Sequence, residues 1–375
     1  MIRKLLVALI VISSLATIGL GYKKFIVDQN PVVADKPEDS EQPKPEPKSE
    51  PQPEPKPEPA PPTFDDALAS ISQAELQEIV VYLASDELEG RMSGREGNVK
   101  AAEYIKKYLE NIGLETMYHE FQIRGGSSKN IYCWMNGTTD DIVVVGAHMD
   151  GIGMGGIYSR TPNSKSIHPG ADDNASGTAA VMVMAKALSR IKGQNKRTLV
   201  FQLYSGEEIG LVGSKAYCAD PKFPVSKPSM SNHVAMLNLD MIGHLGKGVY
   251  SVGESLDSSI DLKSIVSGLS GNYDFADQIC GFGAKGGGSD HIPFYNKGVP
   301  VVFLHTGLHG NYHTPGDKPD TLNFEGVEKV TRFATELAWK VSQFGDKIEF
   351  NYAKFVELPA THDHGVAEVP FPQEN

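Results

Sequence analysis

The run Thr198-Leu-Val-Phe-Gln-Leu-Tyr204, continued by Ser205-Gly206-Glu207-Glu208-Ile209-Gly210, decides how the rest of the chain is read. The uncharged, apolar first part reads as a buried strand. Two adjacent carboxylates where a strand ends are unusual. In a strand, neighbours point to opposite faces; in a turn they converge on one cavity. Side by side without a counter-ion they repel, and one takes up a proton. A cation removes that difficulty: one carboxylate binds it and the other is free to act as a base. The plain alternative is a solvated Glu-Glu at a helix start, where acidic groups suit the dipole.

Working outward, strands and helices alternate. Ile142 to Gly146, Val234 to Met241 and Val299 to His305 read as further strands, Ala175 to Leu188 and Phe324 to Ser342 as helices. Upstream, Ser72-Gln-Ala-Glu75 has the form of a capping box, with Leu76, Ile79, Val80 and Leu83 on one helical face. A second helix is expected over about 98–112, with Ala102, Ile105, Leu109 and Ile112 inward and Gly113 as its stop. Asp86 to Gly97, between them, reads as a polar loop. Continuous apolar strands separated by helices imply an α/β sandwich around a largely parallel sheet.

Metal-competent residues cluster just past the strand ends. Gly146-Ala-His148-Met-Asp150 ends one strand, and Gly170-Ala-Asp172-Asp173-Asn174-Ala-Ser-Gly177 opens the Ala-rich helix. Asn238-Leu-Asp240 ends another strand, and Tyr312-His313-Thr-Pro-Gly-Asp317 follows the last. Open α/β sheets bind ligands outside the carboxyl ends of their strands. Each cluster alone has a bland reading as a cap or a loop residue; five together do not. Two histidines and several carboxylates without thiolates suit catalytic zinc, or Co2+ or Mn2+. A bridging carboxylate with two further ligands per ion would build a paired site with ions roughly 3.5–4 Å apart. Spacing alone leaves Asp172 and Asp173 equivalent as the bridge.

These residues resemble the co-catalytic di-zinc aminopeptidase family, which includes secreted bacterial leucyl aminopeptidases. Besides the motifs above, Ser289-Asp-His-Ile-Pro-Phe294 and Leu88-Glu-Gly-Arg-Met-Ser-Gly94 match it, and the resemblance covers about 70–345. It implies an α/β three-layer sandwich of phosphorylase/hydrolase type, with a mixed, mainly parallel sheet flanked by helices. It selects Asp173 as the bridge, gives His148 and Asp240 to one Zn2+ and Glu208 and His313 to the other, and makes Glu207 the general base. Asp150 would orient His148, and Tyr312 would hydrogen-bond the tetrahedral intermediate. The implied reaction removes N-terminal residues from peptides with a free N-terminus: two cations acidify a shared hydroxide-forming water, and Glu207 carries its proton to the leaving amine. Carboxypeptidases and glutaminyl cyclases share this fold; a non-catalytic, envelope-anchored binding protein is the remaining alternative.

Composition sets the surroundings. The net charge is -12, which argues against a nucleic-acid partner. Met1-Ile-Arg-Lys4, the uncharged run Leu5 to Tyr22 and Lys23-Lys24 read as a signal anchor or signal peptide over 1–24. Residues 25–63 read as a Pro/Lys/Glu-rich disordered spacer. Of 24 prolines, 12 lie between Pro31 and Pro62, an extended composition reaching on the order of 100 Å. The zinc peptidase domain is expected over 64–350, with an irregular tail over 351–375. The whole is expected to be exported to the cell envelope or periplasm as a monomer, membrane-anchored through its N-terminal segment or else secreted. Cys133, Cys218 and Cys280 form no Cys-x-x-Cys pattern. Gly151-Ile-Gly-Met-Gly-Gly156 and Gly281-Phe-Gly-Ala-Lys-Gly286 fit G-x-G-x-x-G, but neither leads directly into a helix, which argues against a dinucleotide site. The glycines of both stretches are expected to let backbone approach the cleft.

Overall fold

The computed structural model describes residues 60–222, 229–246, 250–252, 256–275, 281–282 and 288–357. The targeting segment, most of the proline-rich spacer, Cys280 and most of the second glycine stretch lie outside them. Among the described residues no helix is long and apolar enough to cross a membrane.

The helices are α1 (Phe64–Ala69), α2 (Gln73–Leu83), α3 (Glu96–Asn111), α4 (Gly177–Ser189), α5 (Val212–Ala219), α6 (Ile260–Ser270), α7 (His291–Tyr295) and α8 (Phe324–Gln343). The strands are β1 (Glu115–Ile123), β2 (Gly126–Met135), β3 (Ile142–His148), β4 (Thr198–Tyr204), β5 (His233–Leu239), β6 (Tyr250–Val252), β7 (Gly281–Phe282) and β8 (Val301–His305). They form one sheet in the order β1-β2-β4-β3-β5-β8-β6-β7. The central strands β4, β3, β5 and β8 are mutually parallel; β1–β2, β2–β4 and β6–β8 are antiparallel. The mixed, mainly parallel three-layer α/β sandwich is therefore present.

Every residue of β3, β4, β5 and β8 is buried. Alternate side chains feed two cores, because the strand period is two. Val143, Val145, Leu199, Phe201 and Leu203 pack with α2, α3, α4 and α8 on one face. Ile142, Val144, Val200 and Tyr204 pack with Tyr217 of α5 and Phe294 of α7 on the other. Helix α8 buries Val327, Val330, Ala334, Leu337 and Val341, a helical repeat set by Asn323, whose side chain accepts from Gly326 N.

Register brings the four parallel strands to a common level. His148 of β3 pairs with Tyr204 of β4, and Leu239 of β5 with Leu304 of β8. The segments leaving these residues therefore share one edge, as the strand-end clusters require.

Several local expectations are corrected. Ser72 starts α2, but its side chain caps nothing. Glu75 instead accepts from Tyr108 Oη (3.0 Å) and Lys186 Nζ (2.6 Å), tying α2 to α3 and α4. The closed capping box is one helix earlier, between Thr63 and Asp66. The expected polar loop over 86–97 is a 3-10 segment, Asp86–Arg91, with Leu88 and Arg91 fully buried. The glycines after β3 behave as expected. Gly151 bridges to Met92, and a Cβ on Gly155 would lie 2.3 Å from the His168 ring. Cys133 and Cys218 are buried thiols, and burial pushes both up.

Candidate metal centre

His148 is the last residue of β3, and Thr178 Oγ1 donates to its carbonyl at 2.7 Å. Its Nδ1 lies 3.3 Å from the Asp150 carbonyl oxygen and 3.7 Å from Asp150 Oδ1. That leaves Nε2 directed inward, 3.2 Å from Asp173 Oδ1 and 3.4 Å from Asp240 Oδ1. His313 mirrors the arrangement. Its Nδ1 donates to the Tyr158 carbonyl at 2.8 Å, which fixes the tautomer. Its Nε2 lies 3.1 Å from Asp173 Oδ2 and 3.2 Å from Glu208 Oε2. The carboxylate of Asp173 thus presents one oxygen to each histidine, and each histidine has a second carboxylate of its own.

The backbone is shaped to permit this. Asp173 and Asn174 leave helical geometry just before α4, and the peptide between them is cis. Asp317 accepts from Asp172 N (2.9 Å) and Asp173 N (3.1 Å), holding the turn from outside. Asn174 accepts from Gly177 N and donates to the Leu239 carbonyl, joining this turn to the end of β5. His313 and Met241, the residue after Asp240, both sit at positive φ (55° and 54°). Non-glycine residues rarely occupy that region, and it concentrates at working sites.

Glu207 and Glu208 leave β4 through a turn in which Gly206 takes φ 78°. Ser205 N donates to Asn130 Oδ1, pinning the strand end to β2. The two carboxylates then diverge. Glu208 faces His313, while an oxygen of Glu207 lies within 4.8 Å of ligand atoms of His148 and Asp240. Asp150 accepts from Glu207 N (3.2 Å) and Ser93 Oγ (3.0 Å). Its carboxylate therefore holds the Glu207 backbone while its Oδ1 stays 3.7 Å from His148 Nδ1. The Tyr312 ring stacks on His313 with centroids 3.9 Å apart, and the Arg160 guanidinium lies 4.9 Å from the Tyr312 centroid.

His148, Asp150, Asp173, Glu207, Glu208 and Asp240 are all at most 3% exposed. Burial opposes charge on His148, yet Asp240 and Glu207 with Asp150 and Asp173 push its imidazole well above the usual range. Burial likewise opposes charge on His313, but Glu208 and Asp173 raise it to about 11. Without a metal, protons on the two histidines are the cations the site supplies. A dense set of buried carboxylates and imidazoles is costly unless positive charge compensates it. A cavity of about 10 Å³ lies between Asp173, Glu208, His313 and Asp317. The neutral-imidazole and carboxylate donor set, with no thiolate, fits zinc.

Four contributors had no role assigned from sequence. Arg91 is fully buried and donates to the carbonyls of Leu83, Met149, Pro169 and Gly170, fastening the loops behind the site. Ser93 holds Asp150. Burial and the neighbouring Asp172 charge push Asp317 up to about 7. Asp290 is fully buried, and burial with the nearby Glu207 charge raises its carboxyl well above the usual range. All four stand inside or beside motifs visible in the sequence, but their contacts are long-range.

Known proteins fit this picture. A probable leucine aminopeptidase of Arthroderma otae is 29% identical over 297 residues, covering 71% of this chain and 77% of that protein. The chain spans 51%, 54% and 58% of the length of three other curated relatives. A Zn-dependent exopeptidase from Parabacteroides distasonis superposes with a TM-score of 0.62 at 15% identity, covering 72% of this chain and 98% of that one. A glutaminyl cyclase from Bacteroides thetaiotaomicron gives 0.61 at 16% over 72% and 98%, a likeness of fold. The model of Peptidase family M28 matches residues 130–338, from β2 to the middle of α8 and across every strand-end cluster described above, and the chain belongs to that family.

Proposed function

We propose that the protein is a zinc aminopeptidase that removes the N-terminal residue of peptides. The observation that carries this reading is the division of Asp173, one oxygen toward His148 and Asp240 and the other toward His313 and Glu208. That symmetry supports two zinc ions, which Asp173 would help to hold together with His148 and Asp240 on one side and His313 and Glu208 on the other.

Bound zinc supplies an acidified water and polarises the scissile carbonyl. Glu207, its backbone held by Asp150, would be the base for such a water. It accepts the proton as the water attacks and returns it to the departing amine, so one carboxylate serves both halves of the reaction. Tyr312, stacked on His313, offers its hydroxyl to the oxygen on which negative charge develops. The acidic walls attract a substrate's α-ammonium group.

Arg160 favours a second reading. An exposed guanidinium over the Tyr312 ring can pair with a substrate carboxylate, as a carboxypeptidase needs. One assay separates the two. Hydrolysis of amino-acyl amides, abolished by 1,10-phenanthroline, is expected; cleavage confined to N-blocked substrates with a free carboxyl end would overturn the aminopeptidase reading. Cyclisation of N-terminal glutamine without hydrolysis would instead identify a cyclase.

The basic-flanked apolar run at 5–22 and the proline-rich spacer support export and tethering at the envelope, with the peptidase body acting there as a monomer.

A further inference from the structure

Both carboxylate oxygens of Asp150 are engaged, Oδ1 by Glu207 N (3.2 Å) and Oδ2 by Ser93 Oγ (3.0 Å). Behind Ser93 lies a buried group of polar side chains that takes no part in the chemistry above. Ser93 Oγ is 2.7 Å from Ser205 Oγ, and Ser205 Oγ is 2.9 Å from Ser128 Oγ. Asn98 Oδ1 closes the group, 3.0 Å from Ser205 Oγ and 3.1 Å from Ser128 Oγ. None of the four residues is more than 8% exposed. They come from separate places: the turn after the 3-10 segment, the end of β4, β2 and α3.

The group has a direction. A carboxylate only accepts, so the single hydroxyl proton of Ser93 goes to Asp150. Ser93 must then accept from Ser205, and Ser205, its own proton committed, from Ser128. The three hydroxyls line up head to tail toward Asp150, and no other assignment gives each of these contacts a proton. Asn98 Nδ2 makes no hydrogen bond. A half-turn of that amide would aim its N–H groups at Ser205 and Ser128 and complete the line. Donors in such a chain polarise one another.

The line also closes a ring. It leaves the Ser205 side chain, passes through Ser93 and Asp150, and returns to the backbone at Glu207 N, two residues on. The residue enclosed is Gly206, at φ 78°. Glycine puts no side-chain restraint on such a turn; the ring supplies one.

We propose that Ser93 and Ser205 are positioning residues that act through Asp150 to fix the turn bearing Glu207. Their effect on turnover rests on the aminopeptidase reading, whereas the clamp itself does not.

Two measurements on the zinc-loaded protein test this. Hydrogen exchange of the Glu207 amide, followed in a fragment spanning 205–210, should quicken roughly tenfold or more in Ser93→Ala and in Ser205→Ala, as for loss of one hydrogen bond to a charged group. Equal protection in wild type and both variants overturns the proposal whether or not amides are hydrolysed. In amino-acyl amide hydrolysis, Ser93→Ala should lower kcat about 10- to 100-fold. KM and metal per chain should stay unchanged, which also shows that the variant has folded. Ser93→Thr keeps the hydroxyl and should recover most of the rate. The double variant should be no slower than Ser93→Ala alone, because Ser205 works through Ser93. Losses that multiply, or a rate that falls only in step with metal, would overturn the proposal. A wild type without amide hydrolysis but with the expected exchange pattern would sink the aminopeptidase reading and leave the clamp standing.

Discussion

Asp173 and Glu207 are both buried acids, and the proposed function gives them different duties. Asp173 lies between two imidazole nitrogens, whereas the backbone N of Glu207 is held by Asp150. Asp173→Ala should therefore lose metal by elemental analysis, while Glu207→Gln should keep it and lose about 10²–10⁴ in kcat. Full occupancy in the first or near-normal turnover in the second contradicts the assignment. Arg91 gives a second prediction. Lys in its place keeps the charge but not the planar fork, leaving buried carbonyls without donors. Arg91→Lys should cost about 2–4 kcal/mol of unfolding free energy; an unchanged denaturation midpoint would show that the fork is dispensable. At this scale the sequence was legible wherever a metal-competent residue closed a strand. His148, Asp173, Glu208, Asp240 and His313 stand together as the motifs imply. Arg91 and Asp317 were not legible, since their partners are backbone groups that no local pattern names.

Elements hold the site through close crossings. Gly97, in the first turn of α3, passes the 3-10 segment so tightly that a Cβ would lie 1.8 Å from the Leu88 carbonyl oxygen. No rotation of a methyl relieves contact with backbone. Gly97→Ala should lower stability by about 2–4 kcal/mol, although alanine favours helix elsewhere. A thermal midpoint at or above wild type would mean that α3 shifts freely. Buried elements were the readable ones. The expected span of β4 is the observed span, and α8 differs by one residue. The β1–β2 hairpin escaped notice because β1 is an edge strand with mostly half-exposed or exposed residues, so apolar alternation is weak. The Ser72 box failed because Lys186 and Tyr108, remote in sequence, recruit Glu75.

For the molecule as a whole, proton and metal compete. Without a metal, Glu208 and Asp173 overcome burial and push the His313 imidazole from its ordinary 6.5 up to about 11. A raised imidazole pKa contributes stability that is complete below about pH 6.5 and is lost as pH climbs toward 11. Metal must displace that proton, so zinc affinity should rise with pH across this window. Calorimetric titration near pH 7 in buffers of different ionisation heat should reveal proton release; identical heats would refute the linkage.

The centre draws its parts from the ends of four parallel strands, and β8, the last of them, must dock before His313 can meet Asp173. Synthesis runs from the N-terminus, so a growing chain carries His148, Asp173, Glu208 and Asp240 well before the closing histidine appears. Hydrolytic power is thus withheld by topology alone until nearly the whole body has been made. A protein that cuts peptides is inert while it is itself still an unfinished peptide.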